Sequence, residues 1–366
     1  MYKPSSRVLH AILFCLLVTL TSTLAVAQHF TRTNLTTNRS AVAPAAPNID
    51  PNLVNAWGLS RASSSPWWIS DNGTGLATLY DGTGARQSLV VTIPAPGNNG
   101  TSAPTGTAFN YDGQRFPVAP GKPAIFLFAT EDGTISGWTP QVNLTSAVIK
   151  VNRAGKAVYK GLALASVPGG TFMYATNFQT AAVDVFNGFF NPVTLPAGAF
   201  QDSQVPAGYS PFNIQNVGGN LVVTFAKKEA TGKDEEHGPG LGYVSVFDTN
   251  GKLLLRLQHG NFLNAPWGIT LAPNDFGVFA HQYLIGNFGD GRIHAFNALT
   301  GAFTGTLLNT AGVPITIDGL WALGFGNNVN AGSATELFFT AGPNAESDGL
   351  FGKLTPAMAE GRGNTQ

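Results

Sequence analysis

Cysteine is almost missing from this chain of 366 residues. The one present, Cys15, lies near the start, inside a stretch that has the features of a secretory leader. Lys3 and Arg7 precede an apolar run from Val8 to Leu20, and Ala25-Val26-Ala27 before Gln28 fits the small-x-small rule for cleavage. Residues 1–27 are therefore expected to be removed. The mature protein would then have no disulfide, no thiol nucleophile and no cysteine-based metal site. Leu13-Phe14 before Cys15 lacks the small residue that a lipoprotein cleavage site needs. Export to the periplasm or outside the cell follows as the expected localisation.

Charge is also scarce. Only 11% of residues are charged, 20 basic against 20 acidic, so there is no basic stripe of the kind that binds nucleic acid or an acidic membrane surface. Beyond the leader no apolar run reaches the roughly 18 residues of a membrane-spanning helix. Helical periodicity is absent too, and 44 Gly and 23 Pro interrupt the chain too often for long helices. G-x-S-x-G, H-E-x-x-H and G-x-x-x-x-G-K-[ST] are not found, so the common nucleophile, zinc and phosphate motifs give no support to catalysis.

What the chain does have is repetition. Six apolar segments carry a small residue at the centre: NAWGLS (Gly58), APTGTAF (Gly106), YKGLALA (Gly161), SPFNIQN (Asn213), APWGITLA (Gly268) and GLWALGF (Ala322). They recur roughly every 50 residues, the period of a blade in a β-propeller. A second strand follows each, and third strands such as LATLYDG and GYVSVFDTNG end in the Asp/Asn-Gly turns that hairpins favour. Fourth strands are legible for five blades only. HFTRTNLTT, His29 to Thr37, alternates like a half-buried strand and is expected to complete the last blade and close the ring. The predicted organisation is thus an all-β, six-bladed propeller of four-stranded blades over residues 28–355, acting as a monomer, with a disordered tail at 356–366.

In a propeller, the turns between second and third strands and the connections between blades share one face around the channel. That face is predicted to collect Asp71, Asn72, Glu131, Asp132, Asn177, Asn287 and Asp290. DNG, EDG and GDG are good turn sequences in their own right. Oxygen ligands from several blades converging on an axis also suit Ca2+, and Asp71, Glu131, Asn177 and Asn287 are the candidate ligands, read as sharing one phase of the repeat. Trp57, Trp267 and Trp321 share a register one residue before the central small residue. They either pack between blades or, with Asp71, Asn72 and Asp132, form a ligand-binding face for a small molecule or an extracellular partner. The segment from Lys227 to Gly240 (KKEATGKDEEHGPG) concentrates charge around His237 and is expected to be a mobile, solvated insertion on the rim.

Taken together, NAWGLS with DNGTGLATLYDG, FATEDGTISGW, PFNIQN, GPGLGYVSVFDTNG, NAPWGI with GNFGDGRIHAF, and IDGLWALGFG resemble a family of secreted bacterial propellers, some of which end in a PEP-CTERM sorting tag. AEGRGNTQ at the end of this chain has no such tag, so sorting by that route is not implied. The chain is similar, more distantly, to NHL-repeat and gluconolactonase-type propellers. That resemblance implies a divalent cation at the channel mouth, held by Glu and Asn/Asp side chains at positions comparable to Asp71, Glu131, Asn177 and Asn287. The Glu-Gly-Pro opening of those enzymes is replaced here by Asn55-Ala56-Trp57, so no activity is transferred. The leading expectation is a binding or scaffold propeller. A Ca2+-dependent hydrolase or lactonase, with Asp132 or Asp71 as base, is the alternative, and a quinone oxidoreductase walled by the tryptophans is the third.

Overall fold

A computed structural model describes residues 28–357 apart from 43, 99 and 231, so the leader and most of the tail lie outside the described residues. The chain forms six radially arranged antiparallel sheets. Their innermost strands are Ala56–Ser60, Pro104–Phe109, Tyr159–Val167, Tyr209–Val217, Pro266–Leu271 and Leu320–Phe325. Among the described residues only two short 3-10 turns interrupt the all-β pattern, and no helix is long and apolar enough to cross a membrane.

The small residue at the centre of each inner strand is set by how close neighbouring blades come. A Cβ on Gly58 would lie 2.3 Å from the carbonyl oxygen of Thr105 in the second blade, and one on Gly106 would lie 2.5 Å from the amide nitrogen of Leu162 in the third. Polar side chains tie blade to blade at the same level. Thr105 Oγ1 donates to Tyr159 O, Thr176 Oγ1 to Phe212 O, Asn213 Nδ2 to Trp267 O and Thr340 Oγ1 to Trp57 O.

The closing strand is where the sequence places it. His29–Thr37 runs antiparallel to Leu350–Pro356, from Phe30 opposite Pro356 to Thr37 opposite Leu350. Phe30 is fully buried and packs on Phe276 and Phe279 of the fifth blade. Just past the strand, Arg39 makes a two-pronged ion pair with buried Asp348. The third blade departs from the four-strand plan: its outer strand is reduced to a bridge between Phe186 and Pro192. Proline there withholds the amide donor that a longer ladder needs.

Candidate functional site

Every inner strand slips register against its neighbour near its central small residue. Such a bulge re-aims a side chain. The residues immediately before the small residues, read around the ring, are Trp57, Thr105, Lys160, Phe212, Trp267 and Trp321. Trp57 and Trp321 stack with ring centroids 3.6 Å apart, and Trp267 meets both edge-on at 5.9 and 5.8 Å. Phe288 stacks on Trp321 from the other side at 3.9 Å. All three tryptophans are buried, so these rings plug one end of the channel.

Lys160 belongs to the same layer and is the one cation in it. Its Nζ lies 4.9 Å from the Trp57 ring centroid and 5.7 Å from that of Phe178. It donates to Glu131 Oε1 at 2.5 Å and to Asp234 Oδ1 at 2.9 Å. Burial alone would depress the ammonium pKa, but Glu131, Glu235 and Asp234 more than offset this and hold it above the ordinary value.

A second layer lies just outside the first. In each blade the residue after the second strand donates its backbone N–H to the carbonyl of the residue that precedes the inner strand or its opening turn. These six bonds measure 2.8–3.0 Å, from Asn72, Glu131, Phe178, Lys228, Phe288 and Gly342. This repeat defines the true phase of the blades, and it separates the four predicted metal ligands. Asp71, Asn177 and Asn287 end their second strands, one residue before that position, whereas Glu131 occupies it. The second-blade turn is shorter, closing from Thr130 to Gly133, while Asp71 and Asn287 close to Gly75 and Gly291. Glu131 of EDG is therefore the counterpart of Asn72, not of Asp71.

The consequence for the side chains is direct. Asp71 is buried and accepts from Thr78 Oγ1, and its burial raises its pKa well above the ordinary carboxyl value. Asn177 accepts from the Val158 amide and donates to Asp184, and Asn287 donates to Phe262 O and Asp290. Asp132 caps the Ala103 amide. These bonds tie the four residues to neighbouring strands and turns, and they leave Asp71 Oδ1 and Asn287 Oδ1 buried without a partner. Among the described residues no three His, Asp or Glu side chains are grouped as metal ligands, and of the predicted set Asp71, Glu131, Asn177 and Asn287 it is Glu131 that pairs with Lys160. Of the residues predicted from sequence, Asn72, Glu131, Trp57, Trp267 and Trp321 do meet at the mouth.

Two loops complete it. Lys227 to Gly240 folds back as a small hairpin, with the Glu229 amide donating to Asp234 O, the Glu236 amide to Lys227 O, and a Lys227–Glu236 ion pair. It lies against the channel end through Asp234, and through His237, which meets Phe288 edge-on at 4.9 Å. The expected solvated rim insertion is thus an arm over the mouth. Its Glu235 side chain is only 4% exposed. Oε1 lies 3.6 Å from His237 Nε2, and Oε2 has no hydrogen-bond partner. Glu235 raises the His237 pKa.

The other loop runs from Gly342 to Asp348. Asn344, Ala345 and Glu346 all have positive φ, a left-handed turn that costs on the order of 1 kcal/mol or more per non-glycine residue. It delivers Glu346 Oε2 to Asn55 Nδ2 at 2.6 Å. Asn55 in turn accepts from Trp321 Nε1 and donates to Asn72, and Asn72 donates to Glu131. Burial, with Glu235 and Glu131 close by, pushes the Glu346 carboxyl up to about 7. Sequence reasoning missed Lys160, Glu235, Glu346 and Asn55. A signal for Lys160 was present, because YKG aligns with AWG, PWG and LWA.

At the opposite end the channel is open. A cavity of about 580 Å³ is lined from all six blades, by residues such as Leu59, Thr107, Leu164, Gln215, Ile269 and Phe325.

These features define a six-bladed β-propeller with one channel end plugged by aromatic rings beneath a charged cluster. The chain belongs to the family of two Acanthamoeba polyphaga mimivirus proteins. One, Uncharacterized protein R648, is 33% identical over 320 residues, covering 84% of this chain and 76% of the relative. The other, Uncharacterized protein L690, is 32% identical over 334 residues, covering 87% and 84%. These relatives are viral, and they lend no support to the tagged bacterial family expected from sequence. No protein-family model matches the chain. Among solved structures, a streptogramin B lyase aligns with a TM-score of 0.51 at 12% identity, over 90% of this chain and 98% of its own, a likeness of fold.

Proposed function

We propose that this protein is an exported binding propeller that takes its ligand at the plugged, loop-rich end of the channel. One observation carries the reading: the buried, partnerless Oε2 of Glu235, held beside Lys160 and Glu346 over an aromatic floor. A buried polar atom without a partner is costly in a finished fold and is expected where a ligand completes it. Of the residues on which a Ca2+-dependent hydrolase was to depend, Asp71, Asn177 and Asn287 stand one residue out of phase with Glu131, and a built-in ammonium, Lys160, pairs with Glu131 and Asp234 at the axis. The leader read in residues 1–27 supports export.

A second reading rests on the Glu346 carboxyl. A group at about 7 suits general acid–base work, so proton transfer without the predicted calcium set is the catalytic alternative. Thermal-shift screening of the mature protein tests the main reading. Ligands that raise the melting temperature should lose their effect in Glu235→Gln and Glu346→Gln and keep it in Gln215→Ala at the open end. Hits that behave the opposite way, or stabilisation by millimolar Ca2+ that both Glu variants retain, would overturn it.

A further inference from the structure

We propose that the ligand of the plugged mouth is an organic cation, a protonated amine or guanidinium carried on an apolar or aromatic body; this rests on the mouth being the binding site. Carboxylates outnumber cations there. Glu131, Asp234, Glu235 and Glu346 face Lys160 and His237, in a chain with a formal net charge of zero. Lys160 is already committed to Glu131 Oε1 and Asp234 Oδ1, Asn72 holds Glu131 Oε2, and Asn55 holds Glu346 Oε2. Among these four carboxylates the acceptor left buried without a partner is Glu235 Oε2, and Asp71 Oδ1 and Asn287 Oδ1 are buried without one in the second-strand turns. It is a second observation, apart from the acidic character of the cluster, because its side chain is more than nine-tenths buried.

The remaining valence favours an ammonium over a metal ion. Ca2+ takes six to eight oxygens, and four of the eight carboxylate oxygens here are already engaged by amide or ammonium donors. Aromatic faces are the other material of the site. Trp57 already accepts the Lys160 ammonium over its ring, and Phe288 with His237 forms a further wall. Rings beside carboxylates recognise a cation by its charge and its body by stacking. Glu346, strained by its left-handed turn and made reluctant to ionise by burial and then by Glu235 and Glu131, ionises more readily once a cation arrives.

Benzylamine and its uncharged isostere benzyl alcohol are suitable probes, titrated against the mature protein by calorimetry at pH 8. Benzylamine should bind, benzyl alcohol should bind at least several-fold more weakly, and Glu235→Gln should weaken benzylamine by about tenfold, as expected for losing a charge-assisted hydrogen bond. Glu346→Gln serves as the second variant if Glu235→Gln does not fold, with the same expected loss. Equal binding of amine and alcohol, or unchanged amine affinity in the folded variants, overturns the cation proposal. If a neutral or anionic screening hit binds and is lost in the same variants, the cation class fails while the mouth stands. If binding is lost only in Gln215→Ala, the mouth itself fails.

Discussion

The two ends of the channel are built from the same six strands and are opposite in character. At one end the bulged register turns Trp57, Lys160, Phe212, Trp267 and Trp321 inward, and the second-strand turns and two loops cover them with carboxylates. At the other end the same strands run on without a bulge and leave a cavity of about 580 Å³. Blade geometry is repeated sixfold, so it does not create the difference. What breaks the symmetry is one side chain per blade at the bulge, together with the lengths of the loops that follow.

Deleting His29–Thr37 should have the largest effect and should take both ends together, because it opens the ring. It removes the ladder to Leu350–Pro356 and the burial of Phe30, and is expected to cost several kcal/mol or abolish folding. Chemical denaturation measures it. A stable deletion variant in which one end remains intact would show that the ends are separable after all.

Lys160→Met should damage the plugged end alone. It leaves Glu131, Glu235 and Asp234 without their counter-charge. Because Asp234 is well exposed and Glu131 partly so, the expected loss is about 2 kcal/mol or more at pH 8 rather than the larger penalty of a fully buried pair. Urea melts of parent and variant at pH 8 will read it.

Glu346→Gln should reshape the pH dependence. In the folded protein the carboxyl is raised from 4.5 to about 7, so the folded state holds a proton that the unfolded state releases. The stability this group contributes is present below about 4.5 and lost as pH rises through about 7. The variant should lack that decline and be more stable than the parent at pH 8, with the gap closing near pH 4. His294 runs the other way. Burial lowers it to about 4, so its contribution is lost as pH falls from 6.5, and the two groups can be told apart by sign. Gln215→Ala at the open end is the smallest case, expected within about 0.5 kcal/mol of the parent, since a surface-lining residue without a named structural role is tolerated.

Legibility differed between fold and site for a physical reason. Strand period, turn chemistry and blade count are local, so DNGTGLATLYDG or YVSVFDTNG could be read where they stand. The closing strand was also readable, because an unpaired edge had to be covered and HFTRTNLTT alternates. Register across blades was harder. A second-blade turn shorter than its counterparts moved Glu131 out of line with Asp71, Asn177 and Asn287, and composition alone does not reveal a shortened turn. The charged arm from Lys227 to Gly240 keeps most of its charges solvated, as charge density predicts; where it docks was not legible, because Lys160 and Phe288, which give it its place, lie far from it in sequence.

The sequence by itself determined the repeat, the six blades and the small residues at the axis, since close backbone approach leaves room for little else. It also placed three tryptophans in one register. Only the tertiary structure decided that Lys160 sits among those rings, that a left-handed turn carries Glu346 to Asn55, and that Glu235 is buried beside them. Those meetings join residues from different blades, and which side chains share a low-dielectric space is fixed by ring closure and loop path, which no local pattern encodes.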